Sequence, residues 1–492
     1  MKLDENIKEC LKDPEFAKYW FEDSLEYGKT YSTESRYDFS KDSDATRDAI
    51  LSMMKTIRDN KRKNKKKEYY DIYLKAIALG RINSLDNARK EALISELNGI
   101  INNGSSLRIL IAFLISNYLR SEKEYFIVRS NLASSYLAYE LGIHDVDCFN
   151  YEIIPQLCHG INYNNQYKIA YDVGGNNYKR IMQIIEKNIF EDELVRVYSV
   201  KENKIIIENE RVLLLDNSLK QKIKEIEFSD GNKYRYINKE LINKHFDKAI
   251  IINIKENEDL TILNKISKTF KNPRYLKIEE VLDEKNNILN NVIDYYTNSF
   301  DKKKSLFSRN DTNISNLIKE FKPKTLIELA NVISLAHGTD AQLFQELLLV
   351  NGYIKENELI GSKDDVYQYL INKGVSKVLA INIMEDVSKG KGISSELNSF
   401  NIDKSFYETC NNIKYLFPRA NALALVNVGL YLEYYMEYYP NEFKKARDFD
   451  FDKGFILEFG NSNQEFFWDE YQKRMKKMNE CGERWWSLDN DK

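Results

Sequence analysis

The chain has 492 residues, 43% hydrophobic and 30% charged, a balance that excludes a disordered chain and predicts about two to four domains. Lys and Arg total 73 against 76 Asp and Glu, a net charge of -3; a chain-wide basic footprint for nucleic acid is excluded, a local one is not. Gly (19) and Pro (6) are scarce, which favours helix. Five scattered cysteines with no C-x-x-C pair argue against a disulfide framework or a zinc site. No apolar run approaches the ~18 residues of a membrane span, and the N-terminus lacks a signal core, so a cytoplasmic protein with no membrane partner is expected.

In chain order, residues 1–80 read as a helical, charged N-terminal region. Within it Lys61, Arg62, Lys63, Lys65, Lys66 and Lys67 form a basic run, which reads either as phosphate contact or as a solvated linker. Residues 83–120 predict two helices: Leu93, Ile94, Leu97, Ile100 and Ile101 follow the helical period, and Asn102–Gly104 is a stop. Residues 195–254 are β-rich. Ile205–Ile207 and Val212–Leu215 flank a polar stretch and suggest a hairpin, while AIIINI (Ala249–Ile254) has the form of a buried strand.

From about residue 260 the pattern is helical. Tyr431, Tyr434, Tyr435, Tyr438 and Tyr439 fall on one helix face, a core stripe rather than a base-stacking platform. His144 follows Gly142 and reads as an exposed turn residue; His337 reads as a cap, a packed side chain or a substrate-orienting group. Lys303–Phe307 faintly resembles a clamp-binding peptide without its leading Gln, and Trp485 and Trp486 read as a docking element. These patterns divide the chain into 1–80, 81–300, 301–445 and an aromatic, charged tail, 446–492.

Several stretches together resemble the PolC-type catalytic subunit of bacterial DNA polymerase III. Glu91–Gly104 resembles the helix that enters its palm, and Ser134–Asp147 the segment after its Gly-Ser nucleotide-binding motif. Phe321–Asp340, Tyr369–Gly392 and Cys410–Ala424, on to Pro440, resemble its fingers. The resemblance implies an α+β fold, mostly helical: a small mixed sheet as palm remnant and a helical fingers domain, truncated to that core, with the thumb reduced or absent.

Such palms bind two metal ions through an Asp-x-Asp pair on one strand and a third Asp on a neighbour. The matching positions here are Ala170, Asp172 and Asn253, so Asp172 is the sole retained palm carboxylate. The Gly-Ser motif falls at Ile127–Ala133 with its first Gly-Ser replaced by Ile127 and Val128, bulk that blocks close phosphate approach. In the fingers, Asn421, Leu425 and Tyr431 stand where the family has His, Tyr and Arg. Arg129, Lys389, Lys391, Lys414, Arg419, Lys61 and Lys63 remain as candidate phosphate contacts.

The resulting expectation is a catalytically silent, PolC-like replication protein that binds primer–template DNA or replisome proteins, with no cofactor. The alternatives are an active polymerase using Mg²⁺ at a minimal site, Asp172 helped by Glu256 or Asp259, and an interaction mimic without DNA affinity. Sliding-clamp contact is a weaker partner expectation.

Overall fold

The computed structural model describes residues 68–79, 85–154, 168–175, 194–201, 204–227, 233–245, 248–269, 323–341, 359–393 and 395–446, with a few isolated positions between them. Lys61, Lys63, Lys303–Phe307, Trp485 and Trp486 lie outside the described residues.

Three helices open the described chain: α1 (Glu68–Leu79), α2 (Asn87–Asn102) and α3 (Ser106–Ser121). Asp86 caps α2 by accepting from the Arg89 amide at 2.9 Å. Leu93, Leu97 and Ile100 are buried on one side of α2, while Ile94 faces outward. The next elements are β1 (Phe126–Arg129), α4 (Tyr136–Glu140), β2 (Ile169–Gly174), β3 (Val195–Lys201), β4 (Lys204–Leu214), β5 (Lys224–Glu227), β6 (Lys233–Asn238), α5 (Lys239–Lys244), β7 (Ala249–Asn257) and α6 (Glu258–Thr269). The helical part follows: α7 (Leu326–His337), α8 (Lys363–Asn372), α9 (Lys377–Ser388), α10 (Lys404–Asn412), α11 (Arg419–Tyr438) and α12 (Pro440–Ala446). The fold is α+β, mostly helical, with a mixed sheet.

The sheet has seven strands in the order β1-β2-β7-β4-β3-β6-β5. β2 and β7 are parallel, as are β3 and β6; the other neighbours are antiparallel. The polar stretch expected to be a hairpin turn is instead the middle of β4, one continuous strand whose hairpin partner is β3. Glu208 and Glu210 share one face of that strand, where lysines neutralise them, so the charge that resembled a turn is compatible with the ladder. Among the described residues between β2 and β7, strands β3 to β6 extend the same sheet.

Alternation on β7 separates two cores. Ile250, Ile252 and Ile254 join a large core with Tyr171, Val173 and the helices, whereas Ala249 and Ile251 join a small one with Val195, Val197, Val212, Leu214, Ile237 and Ile242. Tyr171 ties β2 to α3: its buried hydroxyl contacts Ser116 Oγ at 2.7 Å and donates to the Ala112 carbonyl at 2.8 Å. Gly174 ends β2 where a Cβ would lie 3.2 Å from the Thr261 backbone, which allows α6 to pack closely.

Helix α11 joins the two parts, packing on α7 and also on β1 and α6. Tyr431, Tyr434 and Tyr435 are buried while Tyr438 is exposed, so most of the tyrosine stripe is core. His144 is buried, contrary to the expected exposed turn: its Nε2 contacts the Ser135 carbonyl at 2.9 Å and its Nδ1 accepts from the Val146 amide. Two backbone partners and a Tyr139 ring neighbour make this interior position favourable.

Candidate functional site

The face of β7 that sends Ala249 and Ile251 into the small core carries Asn253 and Lys255 next. In sheet register, Glu210 of β4, Asn253 of β7, Ala170 of β2 and Arg129 of β1 lie side by side. One pair further along, Asp172 lies beside Lys255. Ala170, Asp172 and Asn253 therefore share one face of the sheet.

Arg129 closes the group. Its Nε donates to Asp172 Oδ1 at 2.6 Å and its Nη2 to Asn253 Oδ1 at 2.9 Å. Burial pushes the Asp172 carboxyl up from its ordinary range, against the opposing pull of Arg129 and Lys255. Glu210, which the sequence reading passed over, is buried and accepts from Lys168 Nζ at 2.6 Å, with Lys239 Nζ at 3.7 Å. Its sequence signal was the alternation Glu208, Glu210, Val212 along a β-rich run.

Oxygen donors for a divalent cation are sparse here. Asp172 Oδ1 and Asn253 Oδ1 both accept from one guanidinium, and Ala170 offers none. Glu256 lies in register with Val173 on the opposite face of β7, with its carboxylate near Gly175. It is therefore turned away from Asp172. Asp259 begins α6 beyond the strand and is buried. Among the described residues no group of three or more His, Cys, Asp or Glu is arranged to hold a metal. The side chains present do not fit a two-metal site.

The turn after β1 has an unusual backbone. Ser130 has φ 70° and ψ -169°, a region that only glycine occupies readily. Its hydroxyl donates to the Lys168 carbonyl at 2.8 Å.

In the helical part, the candidate cations divide in two. Lys389 pairs with Glu385 at 2.9 Å, Lys391 with Asp386 at 2.8 Å, and Lys414 with Asp340; all three lysines are exposed. Lys391–Asp386 is exposed at both ends, and such a pair is weak, about 0–1 kcal/mol, so a phosphate can displace it; Lys389 and Lys414 reach carboxylates that are themselves buried or half-buried. Arg419 is different: only 2% exposed, it donates to Asp365, to the Glu152 carbonyl at 3.1 Å and to Asn331 Oδ1 at 3.3 Å. This corrects its expected role as a phosphate contact, because its guanidinium is consumed by interior acceptors.

Arg419 belongs to a buried hub joining the two parts. Asp364 accepts from the Ile154 amide at 2.9 Å and from the Arg419 amide at 3.2 Å. Lys363, also buried, donates to Glu385 at 3.1 Å and reaches Asn131 Oδ1 at 3.5 Å. The hub escaped the sequence reading, although Ser362-x-x-Asp365 has the form of a capping box, which the structure contains. The run His337–Asp340 (HGTD) is structural as well. Its Thr339 bridges to Tyr415, and the His337 ring lies 4.8 Å from that of Phe417. The KGKG turn packs so closely that a Cβ on Gly390 would lie 2.6 Å from the Lys414 carbonyl.

Comparison with known proteins finds PolC-type DNA polymerases III of several bacteria. The PolC-type DNA polymerase III of Thermotoga maritima is 39% identical over 138 residues, covering 27% of this chain and 10% of that protein. That of Bacillus subtilis is 36% identical over 150 residues, 28% of this chain and 10% of the relative. That of Caldanaerobacter subterraneus is 35% identical over 150 residues, 28% and 11%. This chain is related to PolC-type DNA polymerase III over roughly that quarter of its length. The aligned region is only about a tenth of the relatives' length. No family model matches the chain.

The α11 positions that the PolC resemblance would turn toward a nucleotide lie in the interior here. Asn421 and Tyr431 are buried, and the Tyr431 ring lies 5.5 Å from that of Tyr125. Leu425 is partly buried against the same core. Among the described residues, no single helix is long and apolar enough to cross a membrane.

Proposed function

We propose that this chain is a non-catalytic, PolC-like protein of DNA replication. Residues 81–300 would serve as a palm-like unit and 301–445 as a fingers-like unit, working in the cytoplasm as a scaffold that binds primer–template DNA. The relationship to PolC supports a replication role. The observation that carries the non-catalytic part is the Arg129 bridge between Asp172 and Asn253: the remaining palm carboxylate already has a cationic partner. DNA contact would come from the exposed ammonium groups of Lys389, Lys391 and Lys414, with Lys391 exchanging a weak, exposed carboxylate partner for phosphate.

Incubation with labelled dNTP, primer–template and Mg²⁺ or Mn²⁺ tests the catalytic half. No template-directed incorporation is expected. Incorporation that Asp172→Ala abolishes would establish the active-polymerase reading instead.

A second reading has its own support. The three exposed fingers lysines are all ion-paired and the chain's net charge is -3, which also suits a replisome protein as partner. That reading predicts the same absence of incorporation together with no DNA affinity.

A further inference from the structure

We propose that Arg129 is a tethered cation that takes the place of a divalent metal at the centre of the palm-like face and keeps metal ions out. The inference deepens the non-catalytic reading and rests on this sheet being a palm.

Two metal ions carry four positive charges and call for several carboxylates around them. One guanidinium carries a single charge and needs a single carboxylate. The face has that balance: Arg129 against Asp172 on neighbouring strands, with a neutral amide at Asn253 and a methyl at Ala170. The guanidinium also does the mechanical part of a cation's work. Nε holds an oxygen from β2 and Nη2 one from β7, so the two parallel strands are cross-linked through a planar fork. Exposed Lys255, in register with Asp172, adds a second positive charge. Glu210, the next carboxylate along the row, is turned to Lys168 and Lys239. A divalent ion entering here would face two cations, with Asp172 Oδ1 and Asn253 Oδ1 already accepting from Arg129.

Mn²⁺ titration of the full chain, read by electron paramagnetic resonance of the free ion, tests this with no nucleic acid present. A failure of the DNA reading therefore leaves the result intact. Wild type is expected to show no Mn²⁺ binding that Asp172→Asn removes. Asn253→Asp alone should also show none, because Arg129 can fork between two carboxylates. Arg129→Gln/Asn253→Asp should gain Mn²⁺ affinity by about tenfold or more over Asn253→Asp. The proposal is overturned if wild type binds Mn²⁺ in an Asp172-dependent way, or if Asn253→Asp binds as tightly as the double variant. Thermal melts establish that each variant is folded. Should the double variant fail to fold, Arg129→Gln alone decides: Mn²⁺ affinity above wild type supports the proposal, and affinity no higher than wild type overturns it.

Discussion

Arg129 Nε and Asp172 Oδ1, on the neighbouring strands β1 and β2, are 2.6 Å apart. The carboxylate is mostly buried, so its ionised form depends on that guanidinium. Arg129→Ala should cost on the order of 3 kcal/mol at neutral pH, because it strands a buried charge. The loss should shrink on acidification. A carboxyl whose pKa is raised in the folded state binds its proton there more tightly than when unfolded, so stability rises as pH falls through the folded pKa toward the ordinary value of 3.8. Urea denaturation of wild type and variant across acidic pH measures this; a gap that stays constant with pH would contradict it.

Glu385 has the opposite sign. Burial pushes its pKa up, but Lys363 and Lys389 together hold it below the ordinary 4.5. Its ion pairs contribute stability that is fully present above that value and is lost as pH falls through the folded pKa. Glu385→Gln should cost on the order of 3 kcal/mol near pH 7, since it leaves buried Lys363 without its carboxylate. Thermal melts should then show the two proteins converging in acid.

Arg419 should behave as an interior strut. Arg419→Ala leaves Asp365 and the Glu152 carbonyl without their donor and should destabilise by about 3–5 kcal/mol. Arg419→Lys should rescue only part of this, because an ammonium cannot reproduce the fork. Chemical denaturation orders the three proteins; full rescue by Lys would mean that charge alone matters.

Ser130 gives a backbone test. With φ 70° and ψ -169° it occupies glycine territory. Ser130→Gly should be more stable than Ser130→Ala by about 1–2 kcal/mol, since both lack the hydroxyl and only Ala keeps the strain. Equal melting temperatures would show that the turn relaxes.

Much of the architecture was legible in the sequence because periodicity carries it. The α2 stripe, the buried strand within β7 and the tyrosine face of α11 are all local patterns. Asp172, Ala170 and Asn253 were placed through their order along the chain, and the sheet register brings them together. What sequence could not supply was pairing across distance. Arg129 has the same residue type whether it faces phosphate or Asp172, and only the β1–β2 register decides. Arg419 likewise follows Phe-Pro in a pattern suited to phosphate contact, but Asp364 and Asp365, more than fifty positions earlier, draw it inside. The charged centre of β4 misled for a related reason: its lysine partners lie just before β2 and at the start of α5.

The most direct test is fluorescence anisotropy of labelled primer–template titrated with the full chain over a salt series. The account predicts saturable binding that weakens linearly in log–log form with salt, as released counterions require. It also predicts a smaller slope when Lys389, Lys391 and Lys414 are replaced by Gln. Absence of binding at the lowest salt would contradict the DNA-scaffold account and leave the protein-partner reading in its place.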